Sequence, residues 1–428
     1  MRKLHSPLPF ITLLIVFSVS KAIAQGVAVN TTGAAPNTAA ILHVDLGASL
    51  EKGFLITGTS SALALMPDLG RGSRLMFYPA KSAFRAGWVN GTEWDNAKVG
   101  RHSVAMGVST IASGDYSTAL GIETIGSGES ATAMGEETKA IGGISTAMGF
   151  GSIAEGSVST AMGSKTNAVG FASTAMGAKS IAGGDFSTAM GFNTFAGAAY
   201  STALGYRSYA GGQYATAMGH NTTASGQAAF AMGSNTFASG LHSVALGTNV
   251  STNNKKGSFF FGDSDPEQKG LRPIGFQDQF AARFNGGYYF ISNDAYADLG
   301  VRILPGGNAW VSMCDENSKE NFEMLDGEEI LKKMKNLEFF SWYYKMQDPA
   351  IHRHYGIMAQ DFSKAFGTDK YGKIGNDTTV NPIDMIGIDM AAIQALEKRT
   401  AQLAEENMIL RNEMNELRRR LDRMEKGK

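Results

Sequence analysis

Residues 145–163 read Ser-Thr-Ala-Met-Gly-Phe-Gly-Ser-Ile-Ala-Glu-Gly-Ser-Val-Ser-Thr-Ala-Met-Gly, so that Ser-Thr-Ala-Met-Gly begins at Ser145 and begins again at Ser159. Outward from this stretch the closing glycine keeps the same period at Gly107, Gly121, Gly135, Gly149, Gly163, Gly177, Gly191, Gly205, Gly219, Gly233 and Gly247, eleven copies without a slip. A second glycine lies half a period before it, at Gly114, Gly128, Gly142, Gly156, Gly170, Gly184, Gly212, Gly226 and Gly240, and yields only at Ala198, beside Gly197. Two glycines in every such period exclude a helix. Between them Ser/Ala alternates with Thr/Met or Thr/Leu, the period of a β-strand. The glycines are expected to mark two chain reversals per unit, through φ > 0 or close backbone approach. One coil of two short strands cannot bury a face alone, so the copies stack, each adding about 4.8 Å, into a rod of about 50 Å. So small a ring has a narrow interior that suits Ala and Ser. Thr and Met then face outward, where other chains must cover them, and this is pressure towards a homo-oligomer.

Composition supports a repeat and excludes several classes. The 428 residues include 52 glycines but 10 prolines, which is neither collagen nor a disordered Pro/Gly linker. Thirty-eight basic against 39 acidic residues leave a net charge of −1 and no footprint for nucleic acid. Within residues 100–247 there are 12 charged residues, too few for a charged binding stripe. A single cysteine, Cys314, excludes a disulfide framework and any multi-cysteine metal site. No cofactor and no metal are expected, since the seven histidines lack ligand spacing and His352 and His354 suit a core better than a metal. The methionine column from Met106 to Met232 reads as packing.

Met1-Arg2-Lys3, an apolar run from Leu8 to Val19 and Ala22-Ile23-Ala24 before Gln25 read as a secretory signal peptide cut between Ala24 and Gln25. The run covers about twelve residues, whereas a spanning helix needs about twenty. No later stretch is apolar enough to span, so the chain is expected to be exported, to be secreted or at the cell surface, without an integral membrane anchor.

Units such as Ser187-Thr188-Ala189-Met190-Gly191, followed by a small-residue turn and Ala-x-Gly, resemble the left-handed parallel β-roll head of YadA-like trimeric adhesins over residues 100–247. The resemblance implies three intertwined rolls and an adhesive or spacer role. Phe192, Phe195, Tyr206, Tyr209 and Phe237 fall beside the glycines, in turns where they could stack on a sugar or protein ligand, or on one another to seal the corners.

After Val250 the period stops, and Phe259 to Gly262 and Phe284 to Phe290 read as short strands joined by glycine turns. Beyond Trp310 the series Cys314-Asp315-Glu316-Asn317-Ser318-Lys319-Glu320-Asn321-Phe322, then Asn336-Leu337 to Trp342-Tyr343-Tyr344, then His354-Tyr355-Gly356-Ile357-Met358-Ala359-Gln360-Asp361-Phe362 resembles the intramolecular chaperone auto-processing domain of phage tail-spikes and endosialidases. The resemblance implies trimerisation, guidance of the preceding β-fibre, and self-cleavage by a Ser-Lys dyad in a Ser-Asp-x-x-x-Lys motif. Its alignment puts Lys319 at the lysine, Asp315 at the supporting aspartate and Cys314 at the serine, with the cut next to Cys314. The nucleophile therefore departs from the family. A thiol is easier to ionise than a hydroxyl, Asp315 opposes the thiolate, and a lysine removes a proton only if burial makes it neutral. Two outcomes stay open: a self-cleaving Cys-Lys variant, and a chaperone domain that remains attached. No activity on external substrates is expected.

The chain ends in heptads, with Ile393, Thr400, Asn407, Met414 and Leu421 at a and Leu396, Leu403, Leu410, Leu417 and Met424 at d. Glu406 with Arg411 and Glu413 with Arg418 have the g-to-e spacing of parallel chains. Asn at a often accompanies dimers, so the choice of trimer rests on the two resemblances.

The fold class expected is mainly β: a stacked 14-residue left-handed parallel β-roll as a trimeric fibre, then an α+β chaperone domain ending in a parallel coiled coil. The segments are 1–24 signal peptide, 25–98 cap with Trp88 and Trp94, 99–250 roll, 251–311 β-rich connector, 312–387 chaperone domain and 388–428 coiled coil. The function expected is a homotrimeric, adhesin-like fibre with a glycan or a host or cell-surface protein as ligand. The competing readings are a carbohydrate-binding or carbohydrate-processing tail-spike-like fibre and a purely structural spacer.

Overall fold

The structure, a computed structural model, describes residues 27–30, 35, 42–45, 55–59, 68–264, 270–293 and 299–427. The expected signal peptide, with its Ala24–Gln25 cleavage site, lies outside the described residues, as does much of the 25–98 segment. The chain forms two compact units, Met1–Asn285 and Gly286–Lys428.

The first unit is a parallel β-solenoid. Each period supplies a five-residue strand and a two-residue strand, as in Thr160–Ser164 and Asn167–Ala168. Like strands stack in register one period apart, with Met148 beside Met162 and Met162 beside Met176, and Asn167 beside Ile181. The interior is as narrow as so short a period requires: Ala161, Ala168, Thr166 and Ser173 are buried, as are their equivalents along the roll. Where Ser and Thr alternate, their hydroxyls form an internal relay. Thr166 Oγ1 donates to Ser152 Oγ at 2.9 Å, and Ser152 Oγ donates to the Gly163 carbonyl at 3.0 Å. The unit recurs at Thr194, Ser180 and Gly191 and again at Thr222, Ser208 and Gly219. Other hydroxyls of the interior, among them those of Thr138, Ser145, Ser159 and Ser173, are buried without such a partner.

The glycines do a different job from the one their spacing suggests. The corners are turned by non-glycine residues in the left-handed region, Lys165 (φ 55) and Ala172 (φ 50) in this coil. Gly163 instead sits inside the long strand at φ +126, where a Cβ would come 2.0 Å from the Gly177 carbonyl oxygen. Gly170 has no left-handed φ, yet a Cβ there would meet the Gly184 carbonyl oxygen at 2.0 Å. Both columns let neighbouring coils approach, and the reversals fall two residues later.

The first coils are closed by a hairpin of Gly72–Tyr78 and Ala83–Val89, whose second strand pairs parallel with Val104–Val108. Here Arg85 stands in register with Ala105 and is wholly buried. Its guanidinium donates to the carbonyls of Phe84, Ser103 and Ala112 and to Ser103 Oγ at 2.8–3.0 Å. Desolvation pushes it down to about 10, so it stays charged at neutral pH, held by backbone dipoles. Trp94, also buried, donates Nε1 to the Thr110 carbonyl at 2.9 Å. At the other end the sheet outlasts the sequence period. Phe259–Gly262 pairs with the strand at Val244–Thr248, and Phe280–Arg283 pairs with Phe259–Gly262, so part of the expected connector is further, wider coils of the roll.

The second unit is α+β. Tyr288–Asn293, Leu299–Ile303 and Val311–Ser312 form one antiparallel sheet, and Phe340–Trp342 pairs with His354–Gly356. Its described helices are α1 (Gly327–Met334), α2 (Ala359–Phe366) and α3 (Pro382–Lys426). Asp326 caps α1 by accepting from Glu328 N at 2.9 Å, and Asn381 caps α3 by accepting from Ile383 N at 3.0 Å. Ile330, Phe362, Phe366 and Ala392 are the buried centre on which the helices meet. With Asn381 as cap and Pro382 in its first turn, α3 begins before residue 388, where the coiled-coil segment was expected to start. No described helix is long and apolar enough to cross a membrane.

Candidate functional site

The strand Val311–Ser312 delivers Cys314 to a short 3₁₀ turn, Glu316–Ser318. Asp315 starts that turn, its carboxylate accepting from Asn317 N and Asn317 Nδ2, both at 3.0 Å. Ser318 Oγ donates back to the Asp315 carbonyl at 2.7 Å. The turn brings Lys319 round to Cys314, and Lys319 Nζ lies 2.9 Å from Cys314 Sγ in hydrogen-bond geometry. Of the three candidate residues, then, Cys314 and Lys319 meet, while Asp315 acts on the turn that joins them. Ser318 is spent on the same turn. The contact sets an amine within reach of a thiol, the arrangement a nucleophile and its base need. Both side chains are exposed in the single chain.

His354 stacks on Trp342 at 4.7 Å between ring centroids, with Tyr344 set edge-on to both. That places His354 in an aromatic cluster of the β-hairpin, and His352 is exposed beside it.

The apolar seam of α3 is bare along its length: Ile393 is 64% exposed, Leu403 57%, Leu410 59% and Leu417 62%. Thr400 and Asn407, on the same seam, donate to the carbonyls of Leu396 and Leu403 one turn back. In α3's first turns Ala392 and Ala395 are buried, and Gly327 of α1 approaches so closely that a Cβ there would lie 2.7 Å from Ala395 Cβ. Helix α1 thus docks beside the seam and leaves it open.

The five aromatic residues of the roll expected in turns are in strands: Phe192 and Tyr206 end long strands, while Phe195, Tyr209 and Phe237 lie in short ones. They stack on each other, Phe192 on Tyr206 at 5.3 Å, Tyr206 on His220 at 5.2 Å and Phe195 on Tyr209 at 5.3 Å. A further column, Phe186, Tyr200 and Tyr214, stacks at 5.1 Å per step. Its members were not singled out from the sequence, although they too recur with the period of the roll. Faces engaged with one another leave mainly ring edges for solvent.

A family described as the YadA head domain repeat matches residues 99–124, 144–166, 168–194, 196–222 and 224–249. A second, described as the chaperone of endosialidase, matches residues 314–369, beginning at Cys314 itself. No curated protein matches the chain. The stacked coils and the α+β unit thus acquire their family descriptions in the order the repeats and motifs led us to expect, and the chain carries YadA head repeats followed by an endosialidase-type chaperone domain.

Proposed function

We propose that this protein is an exported homotrimeric, adhesin-like fibre whose C-terminal domain assembles the three chains and then cuts itself off next to Cys314. The observation that carries this reading is the bare a/d seam of α3, an apolar stripe that a soluble chain does not leave uncovered, in the same chain as an outward, half-buried Thr/Met column on the roll. Association through the seam raises the effective concentration of the chains for slow β assembly.

The cut follows from the dyad. Lys319 must be neutral to act as base, and burial is what makes a lysine neutral. Because Cys314 and Lys319 are exposed in one chain, burial has to come from neighbouring chains, so cleavage waits for assembly. Cys314 Sγ then attacks the Met313 carbonyl carbon. The C–N bond breaks, the thiol proton passes through Lys319 to the leaving Cys314 nitrogen, and water hydrolyses the thioester to a Met313 carboxylate and free Cys314. The released domain begins at Cys314.

Mass spectrometry of the expressed protein, native and denatured, tests all clauses together. The expected result is a trimer lacking residues 1–24 and a C-terminal fragment starting at Cys314, lost in Cys314→Ala and Lys319→Ala and kept in Cys314→Ser. A correctly folded trimer that stays full length would remove the cleavage clause, and a monomer would remove the fibre reading. The glycan or surface-protein ligand of the fibre is a separate clause. The exposed ring edges of the Phe186–Tyr200–Tyr214 column are the surface that supports it, and glycan-array binding by the mature fibre is its test.

A further inference from the structure

One corner of the roll carries a charge pattern that the repeat does not require. The left-handed corner residues that follow each long strand form a single file, one residue per coil, which runs Ser109, Glu123, Glu137, Gly151, Lys165, Lys179, Asn193 and continues through Arg207 to three asparagines. Glu123, Glu137, Lys165 and Lys179 are all exposed. Successive members are one rung, about 4.8 Å, apart, so Glu123 repels Glu137 and Lys165 repels Lys179, an arrangement that costs stability in a lone sheet.

Within three rungs of Gly151 the file is antisymmetric in charge, and Arg207, four rungs beyond, has no counterpart in it. One rung before it stands Glu137 and one rung after it Lys165, and two rungs away stand Glu123 and Lys179. We infer that this face docks against the same face of a second, oppositely directed copy, with the two-fold axis through Gly151. Such an axis, lying in the interface and across the rod, sets every outward column opposite its own copy in reverse order. Glu137 then meets Lys165 and Glu123 meets Lys179, each twice, and all four like-charge repulsions acquire an opposite charge.

Neighbouring columns agree. In the short strands Ile153 would face itself, Ile125 would face Ile181, and Lys139 would face Asn167. A cavity of about 490 Å³ runs along the half before Gly151, lined by Ile111, Ile125 and Ile153 with Glu123, Glu137 and the single lysine Lys139 among its walls, and the pairing would set it against the basic half of the partner. Gly151 is the one glycine in this corner file, so the backbone on the axis carries no side chain to hold the copies apart. One group opposes the pairing. Glu155, on the axis rung at the far edge of the face, would face its own copy, and its carboxylate is engaged only by Asn167 Nδ2 at 3.3 Å.

The partner must be a separate assembly. In the proposed parallel trimer equivalent rungs lie at one height, so chains of one trimer would bring Glu to Glu. The inference rests on that reading for this point, and the pairing itself joins two trimers side by side in opposite directions.

Sedimentation velocity of the mature full chain at low and high salt tests it. The expected result is species larger than trimer at low salt, from hexamer upward because each trimer presents the face three times, that revert to trimer at high salt as exposed ion pairs are screened. Glu123→Lys with Glu137→Lys, and separately Lys165→Glu with Lys179→Glu, each give trimer alone, whereas mixing the two variants restores the larger species. Glu155→Gln strengthens association at low salt. Trimer at every salt for the wild type, or variants that associate as the wild type does, would overturn the inference. A chain sedimenting as a monomer in high salt would instead count against the trimer, so the two failures are distinguishable.

Discussion

Gly163 and Gly170 stand in the same coil but resist substitution for different reasons. The first column, which includes Gly177 at φ +99, joins a backbone conformation closed to L side chains with a Cβ position 2.1 Å from the next carbonyl oxygen. The second has only the close approach, and one of its members is already Ala198. Gly177→Ala is therefore expected to cost more than about 3 kcal/mol, against about 1–3 kcal/mol for Gly170→Ala, which needs only a local shift. Unfolding midpoints at one fixed scan rate measure the difference, and equal losses would mean that contact, not φ, decides both. The period was legible because identical coils repeat identical constraints. The corners were not, because Lys165 and Ala172 share no residue type that advertises a left-handed φ. Their cost, about 1–2 kcal/mol each, is offset by ladder bonds such as Lys165 N to the Phe150 carbonyl at 2.7 Å and Ala172 N to the Ser157 carbonyl at 2.9 Å.

Among the elements, the contact between α1 and α3 sets how the seam is presented. Beside the close approach of Gly327 and Ala395, Arg399 Nε donates to both carboxylate oxygens of Glu328 at 2.9 and 3.0 Å. This hydrogen bonding holds Glu328 below the ordinary carboxylate range and raises Arg399. Since the folded value lies below the unfolded one, the contribution is complete above the unfolded carboxylate value and is lost as pH falls through the folded one. The pair is exposed, so the effect is small and salt-sensitive. Amide exchange of residues 327–334 in the full chain, corrected for intrinsic rates, should lose protection on acidification, and Glu328→Gln should remove that dependence. Equal pH dependence in the variant would show that another group controls the docking. The heptads announced α3 because a 3.5-residue period is unambiguous over several turns. Its docking onto α1 was not announced, since Ala391, Ala392 and Ala395 flank the seam as small residues that helices carry for many reasons. The meeting of Cys314 and Lys319 was legible as a spacing, but their exposure was not, because spacing along the chain does not report what covers a turn.

At the scale of the whole molecule, the repeat that makes the roll regular also makes it ambiguous. Three chains displaced by one period still place Ala beside Ala in every remaining coil, and Thr beside Thr and Met beside Met except where Phe230 and Val244 or Leu120, Leu204 and Leu246 stand, so a slipped register loses little beyond its end rungs. Within Thr118–Thr248 the marks that most clearly tell coils apart, such as Glu123, Glu137, Lys165 and Lys179, stand at corners rather than in the Thr/Met columns that other chains would cover, and so do little to correct a slip. The device that can do so is α3, whose Thr400 and Asn407 interrupt an otherwise apolar seam at defined heights. On this argument the chaperone unit supplies register as well as proximity. The expected outcome can be read by mixing chains that carry Met162→Cys with chains that carry Met176→Cys, both in a Cys314→Ser background, and oxidising after assembly. With α3 intact, each cysteine joins its own kind. With Leu403→Asp and Leu410→Asp the seam no longer aligns the chains, and links between positions 162 and 176 should appear at a comparable level. Like-with-like links in both cases would mean that the roll finds its register alone, from the capping hairpin with buried Arg85 or from the wide coils beyond Val250.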